Sequence, residues 1–170
     1  MIKQDISENQ VKTVYLGIGS NLGNRKHNIE KAKSYLVKNG VNLISASSYY
    51  ETPSWPNPKN PKFINIVLKV KSMLEPYELL HLCKLIEHKL GRNKTPKNSP
   101  RECDIDIIDF NGFVLKDKLN LPHKMMHLRN FVLFPLFEIE KEWFHPIKKT
   151  NIKKLILSLS NNNIRSIKQI

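Results

Sequence analysis

Residues 63–70, Phe-Ile-Asn-Ile-Val-Leu-Lys-Val, decide the fold of this chain because apolar residues fill every second position. Successive side chains of a β-strand point to opposite faces, so this period of two predicts a strand with one wholly apolar face. That face carries Ile64, Ile66, Leu68 and Val70, and the other face carries Phe63, Asn65, Val67 and Lys69. The first face is therefore expected to line a core.

The elements on either side of this strand give the order β-α-β-β-α-β. Before it come an apolar strand at 14–18, a stretch of helical spacing at 24–40 and a second strand at 41–50 rich in β-branched residues. After it come an amphipathic helix at 76–91 and an alternating strand at 104–110. This order predicts an α+β fold with a ferredoxin-like core, arranged as a three-layer α/β/α sandwich.

Additional elements are expected around this core. The glycine-containing segment 17–23 is interpreted as a tight turn, and Asn111-Gly112 as a turn between short strands that adds a hairpin. Residues 131–140 are apolar and favour a helix despite Pro135, and the apolar spacing over residues 152–159 predicts a final helix.

Length and composition favour one domain at 13–170 that follows a polar tail at 1–12. The chain has no apolar run near the roughly 20 residues that span a bilayer, and its first residues lack the apolar stretch of a secretory signal. We therefore expect a cytoplasmic protein. Cys83 and Cys103 lie in no ligand-like spacing and are predicted to be reduced structural thiols.

The formal net charge of +13 indicates an anionic partner. A nucleic acid, an acidic lipid surface and a polyphosphate all satisfy that condition, and charge alone does not choose among them. Part of the excess consists of lysines at 148–154 among asparagine and isoleucine, a pattern that compositional bias also explains.

Asp104 and Asp106 are the first candidates for a chemical role. They lie two residues apart on a predicted strand, so both carboxylates share one face while Ile105 and Ile107 point into the core. Two adjacent acids are costly without a cation, and carboxylate oxygens are ligands that magnesium prefers. The alternative is a strand with one solvated face.

Four cations precede the acids within ten residues: Arg92, Lys94, Lys97 and Arg101. Cations that face a metal-binding carboxylate pair suit polyphosphate transfer, because metal and cations share the charge of the moving phosphoryl group. A solvated basic loop is the alternative interpretation of this segment.

A flat heterocycle fits a second group of residues. Phe63 and Asn65 share the non-core face of their strand, where a ring can stack and an amide can bind a polar edge. An ordinary cross-strand pairing surface explains the same pattern. The segment 52–61 contains four prolines and must be a loop, and loops of that length are often functional. His123, Arg129 and Phe131 form a further polar and aromatic cluster.

Seven ordered fragments together resemble the 6-hydroxymethyl-7,8-dihydropterin pyrophosphokinase family, from about Val14 to Pro146. The most diagnostic is Pro100-Arg101-Glu-Cys-Asp104-Ile-Asp106-Ile107. The others are Gly19-Ser20-Asn21-Leu22-Gly23, Tyr50-Glu51-Thr52-Pro53, Phe63-Ile-Asn65, Glu87 with Gly91-Arg92, Pro122-His123, and Arg129-Asn-Phe131 leading into Pro135-Leu136.

The resemblance implies transfer of diphosphate from ATP to the hydroxymethyl group of the pterin, with AMP as the second product. It implies two Mg²⁺ ions at Asp104 and Asp106, and Arg92 and Arg101 as catalytic cations beside them. The ATP-binding residues it implies are Leu80, Arg92, Lys94, Lys97, Arg101, Ile107, Lys118, Leu119, His123 and Arg129. The pterin-binding residues it implies are Thr52, Pro53, Trp55, Phe63, Asn65 and Phe131.

The expected partners are these two small molecules, bound by a monomer that contacts no nucleic acid and no membrane. Lys94 and Lys97 stand where arginines are common in the family, and lysine cannot make the bidentate phosphate contact of arginine. Two other functions remain open: a basic, RRM-like nucleic-acid-binding domain of the same element order, and a metal-dependent phosphohydrolase.

Overall fold

The computed structural model describes residues 10–92, 96 and 98–170, and Lys94 and Lys97 lie outside them. The strands are Lys12–Ser20 (β1), Asn42–Ala46 (β2), Tyr50–Thr52 (β3), Phe63–Ser72 (β4), Asp104–Phe110 (β5), Leu115–Lys116 (β6), Asn120–Leu121 (β7), Phe144–His145 (β8), Thr150–Asn151 (β9) and Lys168–Gln169 (β10). The α-helices are Arg25–Lys38 (α1), Pro76–Lys89 (α2), Asn130–Ile139 (α3), Ile152–Leu157 (α4) and Asn161–Ser166 (α5).

One antiparallel sheet forms the centre of the molecule. Its strand order is β10-β3-β4-β1-β5, and β2 pairs with β4 beside β3. Helices α1 and α2 pack on one face and α3 and α4 on the other, so helices form the two outer layers. The predicted α+β class is confirmed.

The apolar face of β4 lines the larger core. Ile64, Ile66, Leu68 and Val70 are buried there together with the inward side chains of β1 and β5. Helix α1 contributes Ile29, Ala32 and Leu36, and α2 contributes Leu79, Cys83 and Ile86. The period of two along β4 and the helical period along α1 and α2 therefore meet in one cluster, as their patterns predict.

The second core covers only part of the opposite sheet face. Tyr15, Val67 and Ile108, one from each central strand, are buried in one cluster with Leu133 and Leu136 of α3. An RRM presents this sheet face to RNA, and here α3 and α4 cover the part that these residues form. We call it the covered half, and we call the remaining part, at Gly17, Gly19, Phe63, Asn65, Asp104 and Asp106, the open half.

The buried Trp143 fixes the edge of the second core. Its indole Nε1 donates a hydrogen bond to Asp109 at 2.8 Å, and its side chain packs in the same cluster as α3 and α4. Burial raises the pKa of the Asp109 carboxyl, although Trp143 and the backbone N–H of Gly112 both donate to it. Trp143 is 5% exposed, whereas the other tryptophan, Trp55, is 78% exposed.

Three expectations about the first strands need correction. The segment 41–50 is two short strands, β2 and β3, which both pair with β4. Between them the Ser47 hydroxyl accepts from the N–H of Val67, and the Ser47 N–H donates to the carbonyl of Val67, which interrupts the regular pairing with β4. The glycine segment at 17–23 is not wholly a turn, because β1 continues to Ser20. Strand β1 also begins at Lys12, a buried residue that the sequence assigned to the tail.

The later elements are partly as expected. Helix α3 forms with Pro135 inside it, and Asn111-Gly112 is a turn in which both residues have positive φ. The strand that follows, β6, pairs with β7 and not with β5, so the extra hairpin is not closed by that turn. The C-terminal region contains α4, α5 and the strand β10, where the sequence predicted one helix.

Both cysteines are buried free thiols, as predicted. Burial raises the pKa of Cys83 to about 12, so this thiol is protonated at neutral pH. Within the described ranges, no helix has the length and apolar character that crossing a bilayer requires.

Candidate active site

The three central strands bring the candidate residues together in the open half. Gly19 of β1 lies opposite Asp104 of β5 on one side and Asn65 of β4 on the other. Gly17 lies opposite Asp106 in the same way. Both carboxylates therefore share one sheet face with Asn65, as the period of two predicts.

Glycine is required at position 19 because of a close approach. A Cβ built on Gly19 would lie 2.7 Å from Oδ1 of Asn65 and 3.4 Å from the ring of Phe63. Real Cβ atoms do not come this close to another heavy atom, so any side chain here would displace Asn65 or Phe63. Gly19 therefore forms the floor between the amide and the acids.

Asp104 is held by two arginines. Arg92 contacts Oδ1 of this carboxylate at 2.5 Å, and Arg101 contacts Oδ2 at 2.9 Å. Burial alone would raise the pKa of Asp104, but the charges of Arg101 and Arg92 outweigh it and hold that pKa below its usual value. The carboxylate is thus ionised at neutral pH, as ligation of a cation requires.

Asp106 faces a second pair of groups. Arg129 donates to its Oδ2 at 3.3 Å, and Nε2 of His123 lies 3.9 Å from the same oxygen. Burial lowers the pKa of His123 below its ordinary value, despite the nearby Asp106 charge. The imidazole is therefore neutral at pH 7 and can act as a hydrogen-bonding group beside the carboxylate.

Two of these arginines also stack on the aromatic candidates. The guanidinium of Arg101 lies 5.2 Å from the ring centre of Phe63, and that of Arg129 lies 5.5 Å from the ring centre of Phe131. Cations at these distances are attracted to the ring face. Each arginine thus connects one carboxylate with one aromatic ring, and the structure brings these six predicted residues into one site.

Glu87 is a further site residue that analysis of the separate motifs did not single out. Its buried carboxylate accepts from the backbone N–H of Ile105 at 2.7 Å and contacts Arg92 at 2.8 Å. Burial raises the pKa of this carboxyl, and Lys84 at 3.0 Å opposes that effect. The sequence feature that could have indicated this role is the position of Glu87, an acidic residue four positions after Cys83 on the buried face of α2.

Asn21 was interpreted only as part of a turn, and the structure gives it a larger role. Its buried amide donates to Ser54 and to the carbonyl of Pro61, each at 3.1 Å. Its Oδ1 accepts from the backbone N–H of Arg101 at 2.8 Å. One side chain thus fastens both ends of the proline-rich loop to the segment that carries Arg101.

The candidates for the pterin edge differ in how firmly they are held. Thr52 and Asn65 are buried, and the Asn65 amide donates to the Thr52 hydroxyl at 3.1 Å. This bond directs the other end of the amide, Oδ1, toward Gly19. Pro53 and Trp55 lie exposed on the loop that follows.

Four candidates for the adenosine contacts lie apart from the carboxylates. Leu80, Ile107 and Leu119 pack in or against the larger core, on the sheet face opposite Asp104 and Asp106. Lys118 is exposed between β6 and β7. Lys94 and Lys97 belong to the residues that the structure does not describe.

The donor set of the open half fits a hard divalent cation. In the described ranges, no three His, Cys, Asp or Glu side chains gather at a point that could hold a metal. Asp104 and Asp106 could supply two carboxylate oxygens to such an ion, because Mg²⁺ usually completes its octahedron with water and substrate phosphates. Across the same ranges, Nε of Arg101 is the one buried side-chain nitrogen or oxygen without a hydrogen-bond partner.

Residues 15–141 match the family model described as 7,8-dihydro-6-hydroxymethylpterin-pyrophosphokinase. A 2-amino-4-hydroxy-6-hydroxymethyldihydropteridine pyrophosphokinase from Aquifex aeolicus is 40% identical over 143 residues, which are 84% of this chain and 89% of that protein. A folic acid synthesis protein from Dictyostelium discoideum is 39% identical over 156 residues, which are 91% of this chain but 24% of that protein.

Solved structures of similar fold include the wild-type HPPK-DHPS of Plasmodium falciparum, with a TM-score of 0.74 and 18% sequence identity. The match covers 97% of this chain and 45% of that chain. At this identity the likeness shows the fold alone. The chain spans less than half of this structure and about a quarter of the Dictyostelium protein.

Proposed function

Because the chain belongs to the 7,8-dihydro-6-hydroxymethylpterin-pyrophosphokinase family, we propose that it transfers diphosphate from ATP to 6-hydroxymethyl-7,8-dihydropterin in folate synthesis. The products are AMP and the pterin diphosphate. The observation that carries this proposal is the pair Asp104 and Asp106, held on one sheet face by Arg92, Arg101 and Arg129.

The phosphate chain of ATP lies against the acids and arginines in this proposal. Arg92 and Arg101 bind phosphate oxygens through charge-assisted hydrogen bonds, which arginine can make in pairs. The unpartnered Nε of Arg101 supports this role, because a buried donor without an acceptor is costly and a phosphate oxygen would satisfy it. Arg129 and the neutral His123 bind the phosphates from the Asp106 side.

We assign the remaining family positions in the same way. Leu80, Ile107, Lys118 and Leu119 are proposed contacts of the adenosine, and Lys94 and Lys97 of the phosphates. Strand β5 separates the face of Ile107 from the face of Asp106. An adenosine bound at Ile107 would therefore contact the backbone of this residue, along the outer edge of strand β5.

Asp104 and Asp106 would hold Mg²⁺, and we propose two ions. Bound there, magnesium would neutralise phosphate charge and polarise the phosphoryl oxygens. The contacts of the site arginines support a requirement for added positive charge, because each of these arginines already contacts a carboxylate of the protein. A triphosphate therefore adds negative charge that these arginines do not fully balance.

The pterin lies in the slot between Phe63 and Phe131 in this proposal. Asn65 and Thr52 read its polar edge, and the backbone from Pro53 to Trp55 closes the slot from the loop side. Stacking on aromatic rings contributes roughly 1–3 kcal/mol per base-like ring. Gly19 makes this arrangement possible, because Asn65 and Phe63 pack directly against its backbone, where a Cβ would displace them.

The chemical step is an in-line displacement. The pterin hydroxymethyl oxygen forms a bond to the β-phosphorus of ATP, the bond from that phosphorus to the α–β bridging oxygen breaks, and AMP leaves with the bridging oxygen. The hydroxyl proton is released. The residues of this chain accelerate the step by holding both substrates in position and by stabilising charge on the transferred group.

Strand order and helix placement support a ferredoxin-like classification of the core, which we propose for residues 12–110. The antiparallel order β2-β4-β1-β5 with α1 and α2 on one face is the arrangement of two interleaved βαβ units. A single domain over residues 13–170, a monomeric state and a cytoplasmic location stay predictions.

The test is to identify the nucleotide formed from Mg-ATP in the presence and absence of the hydroxymethyl-dihydropterin. We expect AMP that accumulates only when the pterin is added. Pterin-dependent ADP would reject the proposal, because only one phosphoryl group would then be transferred. Phosphate release that needs no pterin would reject it in favour of a phosphohydrolase. Tight, salt-sensitive RNA binding without any AMP formation would favour the nucleic-acid-binding alternative instead.

A further inference from the structure

The last ten residues of the chain contact both walls of the proposed pterin slot. On one side, β10 pairs antiparallel with β3, with Lys168 opposite Glu51 and Gln169 opposite Tyr50. The N–H of Ile170 extends this pairing by donating to the carbonyl of Tyr49 at 3.0 Å. Strand β3 ends at Thr52, which pairs with Phe63 of β4, so the C-terminal strand supports the Phe63 wall of the slot through β3.

On the other side, the same segment holds the start of α3 through Asn130. This side chain is 7% exposed, and its Nδ2 donates to the carbonyl of Asn163 at 2.6 Å and to the hydroxyl of Ser166 at 3.0 Å. Its Oδ1 accepts from the backbone N–H of Phe131 at 2.7 Å. Asn130 therefore connects α5 with the residue that forms the second wall.

The position of Asn130 in the sequence gives these contacts their importance. It lies between Arg129, which contacts Asp106, and Phe131, on which Arg129 stacks. A buried amide whose donors are taken by another segment fixes the backbone at this point, because breaking those bonds leaves buried polar groups unpaired.

The two ends of α3 are held by different means. Glu138, near its C-terminal end, accepts from the hydroxyl of Tyr50 at 2.8 Å and from the N–H of Ser48 at 3.0 Å, so this end is bound directly to β3 and the residues before it. The N-terminal end carries Phe131 and is joined to the C-terminal segment through Asn130. The width of the slot at Phe131 therefore depends on that segment.

We infer that residues 161–170 form a clasp that sets the separation of the two walls of the pterin slot, with Asn130 as its positioning residue. This inference rests on the proposed function, since the slot is defined by the pterin. Asn130 does not touch the reacting atoms, and it acts through Phe131. The clasp should therefore affect binding of the pterin far more than binding of ATP.

Steady-state kinetics of the full chain test the inference. Ser166→Ala removes one of the two acceptors of Asn130, and deletion of residues 168–170 removes β10. We expect Ser166→Ala to raise the KM for the pterin about fivefold, the equivalent of one lost net hydrogen bond. The deletion removes several bonds and should raise this KM at least as much, and in both variants the KM for ATP and kcat should stay nearly unchanged. Ser166→Thr keeps the hydroxyl and should restore the pterin KM.

Lys153→Ala is the matched control, because Lys153 lies on α4 in the same C-terminal region and its side chain makes an exposed ion pair with Glu142. It should leave both KM values unchanged. Folded variants that keep the wild-type pterin KM, or that raise both KM values equally, would overturn the clasp. Absence of pterin-dependent AMP formation by the wild-type chain would instead reject the proposed function, so the two failures are distinguishable.

Discussion

The covered and open halves of one sheet face are built from the same three strands, yet their side chains differ in kind. Along β1, β4 and β5 the covered half has Tyr15, Val67 and Ile108, and all three are buried in the second core. Two positions away on each strand, after Tyr15 on β1 but before Val67 on β4 and Ile108 on β5, the residues are Gly17, Asn65 and Asp106. Helix α3, which begins at Asn130, thus covers one half of this face. The candidate site residues lie on the uncovered half, beyond the N-terminal end of the helix.

This difference teaches how an α+β sheet can serve stability and chemistry at once. The covered half obtains its free energy from apolar burial, while the open half holds charges and an amide that a core would not tolerate unpaired. Variants in the open half should therefore change activity with little effect on stability. Variants in the covered half should do the reverse.

The largest expected effect in the open half comes from Asp104→Asn. This change removes the charge that Arg92 and Arg101 contact and that a cation would require. We expect kcat to fall by roughly 10²–10³-fold, the scale for loss of one preorganised electrostatic group, with the fold retained by circular dichroism. Val67→Ala is the control in the covered half, and it should lower stability by about 1–3 kcal/mol with kcat nearly unchanged.

Gly19→Ala tests the floor of the open half. The new Cβ would meet Asn65 at 2.7 Å and displace it, and a displacement near 1 Å can cost about 10²-fold, here in kcat/KM for the pterin. Gly17→Ala is the matched control, because its Cβ would meet only the flexible end of Ile108 at 3.1 Å. Equal losses for both variants would contradict a specific role for Gly19.

Phe131→Ala removes one proposed wall of the slot. A stacking contact of roughly 1–3 kcal/mol corresponds to a rise of about 5- to 150-fold in the KM for the pterin, with the KM for ATP changing much less. Phe131→Tyr retains the ring and should stay close to wild type. A larger effect on ATP than on the pterin would place the nucleotide, and not the pterin, at this ring.

The smallest effect is expected from ionic strength. ATP is proposed to meet charged side chains, whereas the pterin meets rings and neutral amides, so salt should weaken only the first interaction. Between about 0.05 M and 0.3 M salt, where screening lengths shorten, we expect the KM for ATP to rise a few-fold and the KM for the pterin to stay constant. Equal salt dependence would mean that the two substrates share one charged surface.

The sequence predicted the elements whose patterns are local. The alternation along β4 and along β5, and the helical spacing of α1, α2 and α4, each depend on neighbouring residues and were confirmed. The α+β class followed from their order, and the shared face of Asp104 and Asp106 followed from the period of two.

The features that the sequence did not predict depend on contacts between distant segments. Strand β10 exists because the sheet edge at β3 accepts it, and residues 168–170 carry no strand pattern of their own. Asn21 and Asn130 are ordinary polar residues until Arg101 and Ser166 are placed beside them. Gly19 was assigned to a turn because glycine is common in turns. Its position in strand β1 became clear only from its pairing with Asn65 of β4.

The two tryptophans give the molecule a built-in optical reporter. Trp55 extends into solvent from the loop beside the slot, whereas Trp143 is enclosed and hydrogen-bonded to Asp109. Their emission maxima should differ, and a soluble quencher such as acrylamide should reach the first and spare the second. Ligand occupancy beside that loop can consequently be followed by intrinsic fluorescence, without labels and without turnover.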